Sequence, residues 1–136
     1  MSFGLGARGT FVRVDAAAAC PCGSSEPFGR CCASLHGGEQ APTAERLMRS
    51  RYTAFVVGDV DYLIATWHGS TRPQSLALDP DLQWRGLQII EAHEEGPRGV
   101  VEFCARYVED GRAGEQRERS RFTRRAGRWF YLDANG

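Results

Sequence analysis

Lysine is absent: all seventeen basic residues are arginine, balanced by seventeen acids to give zero net charge. A GC-rich coding bias is the simplest explanation for the missing lysine, since alanine and glycine are abundant, so it carries no functional weight. The lack of surplus charge does carry weight. Generic binding to nucleic acid or to an anionic membrane rests on excess positive charge, so both are argued against and any basic patch must be local. Long apolar runs are missing too, with no stretch near the roughly 18 residues of a spanning helix. The opening MSFGLGARGTFVRVD places Arg8, Arg13 and Asp15 where a signal peptide needs an apolar core. The expected address is therefore a reducing cytoplasm. Five cysteines in 136 residues are too few for a disulfide-framed secreted domain. No serine-nucleophile motif, glycine-rich phosphate loop or HExxH helix occurs, which removes the commonest catalytic signatures.

With 42% hydrophobic and 10% aromatic residues, the chain can build one domain-sized core and a small appended module. Residues 1–19, rich in glycine and alanine without periodicity, read as a flexible leader. Residues 20–38 form a cysteine-, glycine- and serine-rich module too small to bury a core without a staple. Pro42 and Thr43 then announce a helix, with Thr43 as cap, Glu45 in the first turn, and Leu47, Met48, Tyr52, Phe55 and Val56 at helical spacing. Gly58 ends it. Asp59 caps a second helix carrying Val60, Leu63, Ile64 and Trp67 on one face and stopping near Gly69. Residues 70–82, with Pro73 and Pro80, read as a loop. From there the period changes to alternation, predicting strands at about 84–94, 99–109, 115–125 and 128–133. Gly96-Pro97 and Ala126-Gly127 make turns, and Asp110 to Gly114 a loop. Val101, Phe103, Ala105 and Tyr107 share a face, and Cys104 lies on the other as a small buried hydrophobe. Helices followed by an antiparallel meander make residues 42–134 an α+β domain.

Four of the five cysteines fall in Cys20-Pro-Cys22-Gly-Ser-Ser-Glu-Pro-Phe-Gly-Arg-Cys31-Cys32, a C-x-C-x8-C-C pattern. One tight loop bringing four thiolates together matches the tetrahedral set that zinc prefers. A turn at Gly23 and Ser24 would aim backbone amides at the sulfurs, and Phe28 would supply the module's apolar contact. Such a site would provide most of the module's folding energy, on the order of 10 kcal/mol. Unliganded reduced cysteines and a dithiol redox site are the alternatives.

CPCGSSEPFGRCC is very similar to the SEC-C motif, the zinc-binding segment also found at the C-terminus of the translocase ATPase SecA. That resemblance implies Cys20, Cys22, Cys31 and Cys32 as the metal ligands and His36 as a bystander. LMRSRYTAFVVGDVDYLIATWH, ERSRF and GRWFYLD resemble the bacterial YchJ family, over roughly residues 20 to 134. The family implies a SEC-C segment followed by a domain with the fold of nuclear transport factor two, a cone of helices packed on a bent antiparallel sheet of about four strands. Longer relatives carry a second SEC-C motif, so the chain ending at Asn135-Gly136 implies one zinc.

A cone often encloses a pocket, which makes polar residues at helix ends and on strands candidates for ligand binding or catalysis. Asp59, Asp61, Tyr62 and His68 form one group; His93, Glu102, Arg106, Tyr107, Glu118 and Arg119 form the other. Most have plain structural roles, Asp59 as a cap and Asp61 as a first-turn acid. Arg117, Arg119 and Arg121 share one strand face, where cross-strand ion pairing outweighs phosphate contact. Arg49 and Arg51 are expected to pair with Asp59, Asp61 or the thiolates. The leading expectation is a non-enzymatic zinc protein whose SEC-C module docks a protein partner, as the segment in SecA contacts an export chaperone. The rival is a small-molecule binder or a hydrolase or isomerase using the cone pocket, with His68 and a nearby carboxylate as acid and base. A homodimer through the open sheet face is the alternative to a monomer.

Overall fold

Thr43 sits in extended backbone and accepts a hydrogen bond from the Arg46 amide at 3.0 Å, and helix α2 runs from there over Ala44–Val57 in a computed structural model that describes residues 11–136. Gly58 closes it at φ 81°, a left-handed turn that favours glycine. Ahead of it lie a 3-10 turn, Phe28–Arg30, and the short helix α1, Cys32–His36. Behind it, Asp59 accepts from the Tyr62 amide at 3.0 Å and starts α3, Val60–Ala65. This helix stops well before Gly69. The reason lies in the last strand: the Tyr131 amide bonds the Thr66 carbonyl and the His68 amide bonds the Tyr131 carbonyl, each at 2.8 Å, so the backbone is drawn out of the helix.

Four antiparallel strands follow in sequential order: β1 Leu82–Glu95, β2 Arg98–Glu109, β3 Arg112–Arg125 and β4 Arg128–Asp133. The expected loop over Asp110 to Gly114 is only a two-residue turn. Asp110 and Gly111 adopt φ 52° and 75°, the pair of left-handed residues a tight hairpin needs, so Arg112 already pairs with Glu109. Two register shifts in β1, at Trp84/Gly86 and Ile89/Glu91, bend the sheet around α2.

Core packing follows the predicted faces. Leu47, Met48 and Tyr52 of α2 meet Val101, Phe103, Ala105, Phe122 and Trp129 of the sheet. Cys104 is half-buried on the opposite face rather than buried. There Arg117 pairs with Glu102 at 2.9 Å, Arg119 with Glu91 and Glu102 at 3.0 and 3.2 Å, and Arg121 Nε with Asp133 at 2.8 Å. The Arg121 guanidinium holds the Asp133 carboxyl at about 2, below the ordinary aspartate value of about 3.9. The arginine stripe is thus matched by acids, in exposed pairs that solvent screens.

The first ten residues lie outside the described part of the chain. Residues 11–19, expected to belong to a flexible leader, are tied down: the Val12 amide bonds the Val56 carbonyl, and the Phe28 and Gly29 amides bond the Ala18 and Ala16 carbonyls at 2.8 and 2.9 Å. Small residues permit this approach, because a Cβ on Gly29 would come within 2.8 Å of Ala16 Cβ.

Candidate metal centre

Cys20 and Cys22 lie on a loop turned back by Gly23 at φ 83°, with the Gly23 amide bonded to the Cys20 carbonyl at 3.2 Å. Cys31 caps α1 and Cys32 is its first residue, so helix start and loop face each other. The Cys20 amide closes the loop on the Glu26 carbonyl at 2.9 Å. The four sulfurs lie within 4.8 Å of one another, with Cys22 and Cys31 3.6 Å apart. A tetrahedron with 2.3 Å metal–sulfur bonds has edges of about 3.8 Å, so the donor set fits a metal ion. All four side chains are buried, at 5% exposure or less, and all four are free thiols. Phe28 packs against them.

Electrostatics point the same way. Hydrogen bonds from Cys20 and Cys32, reinforced by the Ser24 hydroxyl and amide, hold the Cys22 thiol far below its usual value. The same sharing pushes Cys20 and Cys32 up, through Cys22 for the first and Cys20 for the second. Four buried sulfurs this close cannot all carry charge unless a cation sits among them.

Helix α2 supplies the floor of the site. Arg46 Nη1 donates to Cys31 Sγ at 3.4 Å, Arg49 Nη1 to the Cys22 carbonyl at 2.6 Å, and Thr53 Oγ1 lies 3.9 Å from Cys20 Sγ. Burial works to lower the Arg46 pKa, and the Cys31 and Cys32 thiolates outweigh it, raising the pKa of the guanidinium. Arg46, Arg49 and Thr53 recur at helical spacing on one face, a polar stripe beside an apolar one, and that spacing is the sequence signal for Arg46 and Thr53. Arg49 reaches the module through a carbonyl, not a thiolate. Arg49→Ala is expected to lower stability by about 1–2 kcal/mol, because the buried Cys22 carbonyl loses a charged donor, and to leave metal content unchanged. Urea denaturation beside metal analysis checks both.

The other candidates scatter. His36 turns away from the sulfurs, with Nε2 2.9 Å from the Ser50 carbonyl and its ring on Tyr62. His68 sits at the rim, Nδ1 on Ser70 Oγ at 2.8 Å and Nε2 3.4 Å from Arg125, with no carboxylate bonded. It does not line the cavity under α2, so the expected acid–base pair is not assembled there. The early end of α3 is the cause, since it sends His68 along β4 instead of inward. Asp59, Asp61 and Tyr62 border a separate groove between α1, α3 and β4. His93 is exposed on β1, Glu102 and Arg119 are spent on ion pairs, Arg106 lies exposed against Gly86, and the Tyr107 ring covers Gly114. Of these candidates, only Glu118 lines the cavity, beside Arg51 and Tyr131.

Among known proteins, the family described as YchJ, middle NTF2-like domain, matches residues 43–134. A UPF0225 protein of Streptomyces coelicolor is 51% identical over 118 residues, covering 84% of this chain and 92% of its own. Another from Chromobacterium violaceum is 48% identical over 128 residues, covering 88% and 94%. The solution structure of a SEC-C motif containing protein from Rhodopseudomonas palustris matches with TM-score 0.76 at 32% identity, over 85% of this chain and 96% of that one. The crystal structure of a SEC-C motif containing protein from Psychrobacter arcticus gives TM-score 0.72 at 26% identity, over 88% and 83%.

Proposed function

The chain belongs to the UPF0225 family of YchJ-like proteins, and on that premise we propose that Cys20, Cys22, Cys31 and Cys32 hold one structural zinc ion that fixes the SEC-C module as a protein-docking surface on an NTF2-like scaffold. The observation that carries the reading is the closed set of four buried sulfurs within 4.8 Å. Zinc bound by four thiolates has no open coordination position, so it supplies folding energy rather than Lewis-acid chemistry. Arg46 and Ser24 help to offset the negative charge of the filled site, and Arg49 locks the loop to α2. What the module then offers a partner is its outer surface, where Ser25, Glu26 and Arg30 are exposed. Free thiols of this kind suit a reducing cytoplasm. No helix among the described residues is long and apolar enough to cross a membrane.

Cobalt substitution tests the closed site. Protein loaded with one cobalt(II) ion should show sulfur-to-metal charge-transfer bands and the visible spectrum of a tetrahedral centre, unchanged by added imidazole or azide. A spectrum that shifts on adding either ligand would reveal an open position and contradict a structural site.

A further inference from the structure

A different chemistry occupies the hollow between α2 and the concave sheet face. Arg51 is 3% exposed, and among the described residues no carboxylate oxygen comes within 4.0 Å of its guanidinium. Both of its hydrogen bonds leave from Nη1, to the Leu63 carbonyl at 2.8 Å and to Thr66 Oγ1 at 2.7 Å, and both acceptors are neutral. The cation is held by aromatic faces, with the Tyr131 ring centre 4.5 Å and the Trp67 ring centre 5.1 Å from its central carbon. Burial brings its pKa down only to about 10, so the charge persists at neutral pH. Glu118, on the same cavity, stabilises the cation through space without forming an ion pair with it. A buried charge with no acid in contact is costly, and cation–π contact returns only part of that cost.

Beside it, the Trp67 Nε1–H is buried with no acceptor. Arg51 and Trp67 line one cavity of about 200 Å³, whose remaining walls include Tyr52, Trp84 and Phe103. An apolar cavity of about 150 Å³ accepts benzene, so this one has room for a single substituted ring. The one acidic residue on the lining, Glu118, already accepts from Ser120 Oγ at 2.7 Å and from Gln116 Nε2 at 3.1 Å. Two residues with unused donors, Arg51 and Trp67, thus line this cavity, and both oxygens of its acid already accept hydrogen bonds.

We propose that the cavity binds a small aromatic monocarboxylate, its ring against the aromatic wall and its carboxylate taken by Arg51 and the Trp67 indole N–H. A bound carboxylate supplies the contact ion pair that Glu118 does not make, in a low-dielectric setting where a charge-assisted bond is strong. The site is built wholly from the NTF2-like domain and does not depend on the zinc reading.

The test titrates benzoate, benzyl alcohol and benzylamine into the full-length metal-loaded protein, with calorimetry and the tryptophan indole N–H resonances as readouts. Benzoate should shift the Trp67 resonance, identified by its loss in Trp67→Phe, and bind at least tenfold more tightly than benzyl alcohol. Trp67→Phe, which keeps a ring but removes the donor, should weaken benzoate about tenfold. Because Arg51 also supports α3 through Leu63, the cavity is blocked separately with Ala105→Leu, which should abolish binding in a protein that still folds by circular dichroism. Equal affinity for benzoate and benzyl alcohol would overturn the proposal. So would tighter binding of benzylamine, which would hand recognition to Glu118, or benzoate binding that leaves the Trp67 resonance unmoved.

Discussion

Replacing Cys22 by alanine is expected to reduce bound zinc from about one ion per chain to under a tenth and to melt the N-terminal module while the sheet stays folded. Cys22 is fully buried with its sulfur 3.6 Å from that of Cys31, so its loss leaves three sulfurs and a hole. Among the described residues, Phe28 is the apolar side chain packed on the sulfurs. The module's other ties are Leu35, buried in the main core, His36 on the Ser50 carbonyl and the Tyr62 ring, and the contacts of Arg46, Arg49 and Thr53. A structural zinc contributes on the order of 10 kcal/mol, several times more than any one of these contacts. Hydrogen exchange reads the outcome locally. Amides of Cys20, Phe28 and Gly29, now bonded to Glu26, Ala18 and Ala16, should lose protection, while those of β2 and β3 keep theirs. Retained protection in the module would mean that packing on α2, not metal, holds it.

The second large effect lies in the sheet. Phe122 is 2% exposed on β3, sits opposite Gly99 on β2 and Tyr131 on β4, and meets the Tyr131 ring edge-on at 5.7 Å. Phe122→Ala removes a whole ring from the layer under α2. Neighbours cannot collapse into the space easily, because Gly99 is already in tight contact, a Cβ there falling 2.8 Å from Ala44. The expected loss is about 4 kcal/mol, within the range of roughly 3–5 found for buried Phe→Ala changes. In urea the midpoint should fall with the slope unchanged, and zinc content should stay at about one. A loss below about 1 kcal/mol would show that this part of the core is not closely packed.

How far the sequence was legible depended on whether the deciding contact was local. Helix α2 was readable at both ends because Thr43 and Gly58 act on their own neighbours. The cysteine set was readable because two short spacings bring all four sulfurs together without help from the rest of the chain. Cross-strand pairing of Arg117, Arg119 and Arg121 with acids was readable from alternation. Failures came where a distant segment decided. Tyr131 draws Thr66 and His68 onto β4, which shortens α3 and removes His68 from the cavity. Arg51 looks like a surface arginine on a helix until Trp67 and Tyr131 close over it. Asp110 to Gly114 is the exception, a local feature misread: it looks like a polar loop, yet two left-handed residues suffice for the turn, and the exposed ends of β2 and β3 simply continue.

Zinc per chain, measured by elemental analysis on protein purified under reducing conditions and freed of loosely bound metal, tests the central claim most directly when paired with Cys31→Ala. The account predicts about one zinc per chain in the native protein and none in the variant. Metal-free native protein with four rapidly titrating thiols would contradict it and turn the cluster into a site for thiol exchange.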